Sequence, residues 1–424
     1  MVTKRVVVSI ILFALFISSA SCGRTNAESK KLSTSALHRE AIVVDGHVHI
    51  TNSVFNQGID PWKVQPTGTF DYARAQQGGL DVVIENLYVD DRYTSYNYTV
   101  KQACRLIETF YRVLDANRDK MELALSSADV RRIVGGGRMA VVLALEGGFD
   151  TEGDLDVLRL FYRLGVRMVQ LTNHDTSNVI ADAYVPGEQK WKGISDHGRT
   201  VIQEMNRLGI VIDISHASAA AKLQSIQAGR APVVTSHNGL THFANFVGNL
   251  SDETLKEFAA KGGLIGLHSA GWIISQKPND WSRAHWYYPP SRPVSKSASF
   301  RPPEVDYGDF IAKLDAEMRD WWTLTWGYGR PWREIQKQAI EEGAPLPTVE
   351  EWAEQIDYII RLTGPDHAGL GLDLMSGGNW LRDFDATSYP PLTEALVAKG
   401  YPYTVIRKIL GENWLRILDA AKVP

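Results

Sequence analysis

Ile210-Val211-Ile212-Asp213-Ile214-Ser215-His216 is followed by Val233-Val234-Thr235-Ser236-His237, so two apolar runs close in the same Ser-His pair, 21 residues apart. Both are rich in Val and Ile, as strands buried on both faces should be. One strand-end His is more often a hydrogen-bonded structural residue than a ligand. Two in the same context, on successive strands, point to a common task. Similar runs stand at Ala41–Val44, Leu80–Ile84, Met139–Leu145, Val166–Leu171, Leu264–Leu267 and Ala368–Leu372. Between them lie segments with helical spacing of apolar residues, such as Ser195–Leu208 and Asp252–Ala260. Eight strands alternating with helices predict an α/β fold, a (β/α)8 TIM-type barrel. A doubly wound open sheet is the structural rival, and strand counting does not exclude it.

A barrel core needs roughly 250 residues, and the chain has 424, so insertions are expected. The largest lies after the seventh strand, at about 270–349. It holds Trp272, Trp281, Trp286, Trp321, Trp322, Trp326 and Trp332, most of the chain's 12 tryptophans. Such a segment reads either as a helical subdomain packed on the barrel or as a lid with aromatic walls. The formal net charge of −4 leaves no basic footprint for nucleic acid. There are only two cysteines, Cys22 and Cys104, against 11 histidines, so a metal site here would use imidazole and carboxylate.

The first residues read as a bacterial export signal. Lys4 and Arg5 precede an apolar run, Val6 to Ala20, that is short for a membrane span. Ser19-Ala20-Ser21-Cys22 resembles a lipoprotein processing box, which makes residues 1–22 a signal peptide and Cys22 the site of a lipid anchor. Cleavage near Thr25-Asn26-Ala27 and an uncleaved anchor are the rival readings. All three place the body outside the cytoplasm, as a periplasmic or cell-envelope protein. Residues 23–36 read as a flexible tether, and 37–424 as the folded body.

The chemistry gathers at strand ends. His47-Val48-His49 follows the first strand, and in extended chain residues i and i+2 point the same way. Leu143-Ala144-Leu145-Glu146-Gly147-Gly148 closes a strand in a carboxylate, and a buried carboxylate needs a partner. A salt bridge is the plain reading, a metal ligand the functional one. Gly369-Leu370-Gly371-Leu372-Asp373 closes another. In a barrel these ends converge on the C-terminal face. Four imidazoles and two carboxylates, His47, His49, His216, His237, Glu146 and Asp373, can hold two divalent ions with Glu146 bridging. Zinc is the default for such nitrogen-rich ligation, with manganese, iron or cobalt as alternatives.

From Leu37 to the C-terminus the chain resembles the membrane (renal) dipeptidase family of the amidohydrolase-like metallohydrolases. The likeness is densest in Val44-Asp45-Gly46-His47, Ala144-Leu145-Glu146-Gly147-Gly148, Asn206 to His216, Ala231 to Asn238 and Gly369 to Asp373. Gly411-Glu412-Asn413-Trp414-Leu415-Arg416-Ile417-Leu418 is similar to the family's closing helix. The resemblance implies a dinuclear zinc site, with one ion on His47 and His49 and the other on His216 and His237. Glu146 would bridge, and Asp373 would touch the first ion or its hydroxide and shuttle the proton that the metal-activated water gives up. It also implies cleavage of dipeptides, often with a D residue at the C-terminal position. Family members are commonly dimers, which makes a homodimer one option.

Three departures stand out. The first strand carries His47-Val48-His49 where the family has His-X-Asp. Leu171-Thr172-Asn173-His174 puts Asn173 where the family binds substrate through a His, with His174 beside it. Phe246-Val247-Gly248-Asn249-Leu250 lacks the Arg that holds a dipeptide's free carboxylate. Two alternatives therefore stand beside the dipeptidase. One is a hydrolase of another amide, lactam or ester, such as N-acyl amino acids. The other is a barrel that holds metal without turnover.

Overall fold

The structure is a computed structural model. It describes residues 33–422 except 67, 91–92, 94–97, 148, 150–152, 173–176, 186–188, 285–311, 320–331 and 376–380. Nine strands are present among the described residues: β1 Val44–Val48, β2 Val82–Tyr88, β3 Met121–Leu123, β4 Met139–Glu146, β5 Val166–Gln170, β6 Val211–Asp213, β7 Val234–Asn238, β8 Leu264–Leu267 and β9 Ala368–Leu370. All pairings between them are parallel. They run β2-β1-β9-β8-β7-β6-β5-β4, and pairing of β2 with β4 closes the ring at eight. The fold is thus the expected (β/α)8 barrel, not an open sheet. The short β3 was not expected. It pairs with residues 139–141 of β4, ahead of the point at which β5 joins at Leu143.

Alternation along the strands separates two cores. Val44, Val82, Ile84, Val142, Val211 and Leu264 turn inward and pack with Trp414 of the closing helix Asn413–Ala420. Their neighbours, such as Val83, Val141 and Ile265, face the surrounding helices in a second cluster. The Trp414 indole donates to the Leu370 carbonyl at 2.9 Å. It lies so close to β1 that a Cβ at Gly46 would meet its ring at 2.0 Å. Nearer the C-terminal ends, an added Cβ at Gly266 or Gly371 would stand 2.1 or 1.8 Å from the Ser236 carbonyl oxygen. Glycine at both positions lets β7 come close to β8 and β9, beneath the functional face.

The largest boundary differences are three, the first being that β2 runs Val82–Tyr88 where Leu80–Ile84 was expected. β1 runs through Val48 instead of ending at Val44, because Asp45 is satisfied inside the barrel. Its carboxylate accepts from the amides of His47 and Leu372 and from the Tyr389 hydroxyl. The N-terminal helix Thr34–Glu40 starts inside the expected tether, where the Ser33 hydroxyl caps the Ala36 amide. The leader, including Cys22, lies outside the described residues. No helix among the described residues is long and apolar enough to cross a membrane. Within the insertion, Leu314 and Met318 of helix 312–319 are buried in the outer core, and Asp315 pairs with Arg105 at 2.6 Å. Trp281 packs on Ala339, Ala344 and Leu346. Helix 312–319 thus packs on the body, while Trp281 closes a small cluster within the insertion itself. Trp286, Trp321, Trp322 and Trp326 lie outside the described residues.

Candidate metal centre

The C-terminal strand ends bring together all six expected ligand residues. His47 is in β1 and His49 opens the helix Ile50–Gln57, yet their Nε2 atoms stand 3.0 Å apart. Glu85 of β2 helps aim that helix, since its carboxylate accepts from the Thr51 amide at 2.5 Å. His216, three residues past β6, and His237, inside β7, bring their Nε2 atoms to 2.9 Å. Glu146, the last residue of β4, lies between the pairs. Its Oε2 is 2.9 Å from His47 Nε2, and its Oε1 is 3.0 Å from His216 Nε2. Asp373 Oδ1 lies 3.2 Å from His49 Nε2.

The hydrogen bonds behind the rings decide which way their lone pairs face. His49 Nδ1 donates to the Asn86 carbonyl at 2.8 Å, which leaves Nε2 bare in the neutral ring. The Ser236 hydroxyl gives its proton to Asp213, so it accepts from the Nδ1 atoms of both His47 and His237, each at 2.8 Å. Asp213 also accepts from the Ser215 hydroxyl and the Ser236 amide. One hydroxyl thus orients one imidazole of each pair. This arrangement is the usual support behind metal-ligating histidine. Asp213 and Ser236 were not singled out from sequence as part of the site. The Ser that precedes each strand-end His was the available signal.

The electrostatics suit a cation. Burial would push the Glu146 carboxyl up, but His47 and His216 beside it hold it well below the usual carboxylate range. Burial likewise opposes ionisation of Asp373, and the hydrogen bonds from His268 and His49 overcome it and hold the group well below that range. Burial, with His47 and His216 nearby, pushes His237 well down. At His49 burial is outweighed by the hydrogen bond to Asp373 and the charge of Glu146, and the ring is pushed up to about 9. Two ionised carboxylates therefore face inward-turned imidazole nitrogens. Two trios fit a divalent ion each: His47 with His49 and Asp373, and Glu146 with His216 and His237.

Asn173 and His174, expected to touch substrate, lie outside the described residues. The wall beside His216 is aromatic: Tyr184 stacks on His216 at 5.6 Å between ring centroids, and Phe246 meets Tyr184 edge-on at 5.5 Å. The Phe246–Leu250 loop is held from behind by buried Lys222, whose amine donates to the Gly248 carbonyl at 2.5 Å and is pushed down to about 7 by burial. His38, in the N-terminal helix, is buried. Its ring is shared between Thr393 and the Gly78 carbonyl. Cys104 is half-buried and free.

The chain matches the membrane dipeptidase family (peptidase family M19) over residues 32–423. It belongs to that family. The protein is accordingly a hydrolase of the metallopeptidase kind. Dipeptidase aclJ of Aspergillus oryzae is 30% identical over 362 residues, which is 83% of this chain and 69% of that protein. Among solved structures, the probable dipeptidase PvdM from Pseudomonas aeruginosa is similar at a TM-score of 0.72 and 21% identity, over 92% of this chain and 97% of that one. A metallo peptidase from Rhodobacter sphaeroides, liganded with a phosphinate mimic of the dipeptide L-Ala-D-Ala, is similar at a TM-score of 0.67 and 20% identity, over 90% and 99%. At these identities the two structures show a shared fold.

Proposed function

We propose that the protein is an exported dinuclear zinc dipeptidase. The observation that carries the reading is Glu146, which turns one carboxylate oxygen to each imidazole pair. One ion would take His47, His49 and Asp373, and the other His216 and His237, with Glu146 shared. Divalent metal held there supplies Lewis acidity toward a carbonyl and toward water. The chain's own residues do the rest. Asp373 accepts the proton of the attacking water and returns it to the leaving nitrogen, one group in two roles. Asn173 or His174 stabilises the developing oxyanion. The dipeptidase named above and the peptidase held with a dipeptide mimic support a dipeptide substrate, including one with a D residue at its C-terminal end. The 1–22 leader supports a cell-envelope location, and a homodimer is compatible with it.

A second reading follows from the wall beside His216. Among the described residues that wall is Tyr184 and Phe246 and not a guanidinium. A neutral or apolar group fits it better than a free carboxylate, which favours an N-acyl amino acid, lactam or ester. Release of amino acids from a panel of dipeptides with D or L C-terminal residues tests both readings. Chelator-sensitive cleavage is expected. No cleavage by protein holding two metal equivalents would contradict the dipeptidase reading and leave the second.

A further inference from the structure

His268 follows β8 directly and is buried beside Asp373. Its main chain is pinned on both sides. The amide donates to the Asn238 carbonyl at 3.0 Å, and the carbonyl accepts from the Trp352 indole at 2.8 Å. The ring is pinned too, because its Nδ1 lies 2.9 Å from the Ala270 amide. A backbone N–H can only donate, so Nδ1 is the acceptor and the ring proton sits on Nε2. That Nε2–H faces Asp373 Oδ2 at 3.3 Å.

His237, His268 and Asp373 also lie close enough to suggest a third ion. The Ala270 amide argues against it. A metal on His268 Nε2 would need a bare nitrogen there and a protonated Nδ1 opposite another N–H. Asp373 is fixed from its own backbone as well, since it sits in the left-handed region at φ 57°, a conformation with a modest cost for aspartate.

We infer that His268 is a positioning residue for Asp373, holding Oδ2 from behind so that Oδ1 alone is turned to His47 and His49. Oδ1 stands 3.2 Å from His49 Nε2 and 3.8 Å from His47 Nε2. A carboxylate gripped at one oxygen offers a single atom to the first ion and to the proton it carries. The inference rests on reading the six-residue cluster as a hydrolytic metal centre.

Two variants of the full chain separate the hydrogen bond from packing. In His268→Asn the side-chain oxygen replaces Nδ1 and still accepts from Ala270, but nothing reaches Asp373. In His268→Gln the amide nitrogen reaches about where Nε2 was. Chelator competition with Zn2+ or Co2+ measures the affinity of each metal equivalent and needs no substrate. His268→Asn should weaken one of two equivalents by about 10–100-fold and lower kcat by a similar factor, with KM within about twofold. His268→Gln should recover most of both. The inference is overturned if His268→Asn matches wild type in affinity and kcat. It is also overturned if His268→Gln is as damaged as His268→Asn. Wild-type protein that binds metal but cleaves no dipeptide would remove the dipeptidase reading while the affinity comparison still decides the role of His268.

Discussion

The same eight strands build two very different ends. Below, they turn Val44, Val82, Val211 and Leu264 onto the Trp414 indole, a core of many small dispersion contacts. Above, they present His47, Glu146, His216, His237 and Asp373, with Glu146 set against both imidazole pairs and Asp373 against His49. The lower end tolerates change in proportion to volume lost. The upper end depends on a handful of bonds, of which the Ser236 hydroxyl serves both imidazole pairs. Stability and function should therefore separate by end.

The largest effect should come from Glu146→Gln at the upper end. It removes the carboxylate charge between the two imidazole pairs. Turnover should fall by at least about a thousandfold, or about 4 kcal/mol of transition-state stabilisation. Metal analysis by mass spectrometry should find fewer than two ions, while the melting temperature of the metal-free chain moves little. Metal retention at two equivalents with wild-type kcat would break the comparison.

Trp414→Ala addresses the lower end. It empties the plug against Gly46 and Gly369 and leaves the Leu370 carbonyl without its indole donor. A loss of about 3–5 kcal/mol in denaturant unfolding is expected. Metal stoichiometry of the folded fraction should not change.

A smaller, pH-dependent effect is expected at Asp81, just before β2. Its carboxylate accepts from the Val43 amide at 2.9 Å, and burial pushes its pKa up to about 6. A raised carboxyl contributes stability that is fully present below the unfolded pKa near 4 and is lost as pH rises through 6. Asp81→Asn removes that loss. The variant should match wild type near pH 4 and exceed it by about 1–3 kcal/mol above pH 7, the range set by about 1.4 kcal/mol per pKa unit. Equal pH dependence in both would show that Asp81 is solvated.

Most of the upper end was legible because strand ends are easy to read. An apolar run that stops at His, Glu or Asp places that residue on one face once the barrel is inferred. β3 was not legible, since Met121–Leu123 is three residues long and only Met121 is fully buried. β1 extends past the apolar run Ala41–Val44 because three donors satisfy Asp45 inside the sheet. His268 closes the apolar run Leu264–Leu267, and that position alone does not mark it as a partner of Asp373. Its bearing on Asp373 depends on which nitrogen faces the Ala270 amide, and residue order does not carry that.

The most direct test of the account is a metal titration of the full chain, followed by the heat of binding and by metal content. The account predicts two equivalents per chain in the wild type, and loss of the shared-carboxylate arrangement in Glu146→Gln. A wild type that saturates at one equivalent, with Glu146→Gln indistinguishable from it, would contradict a centre built around Glu146.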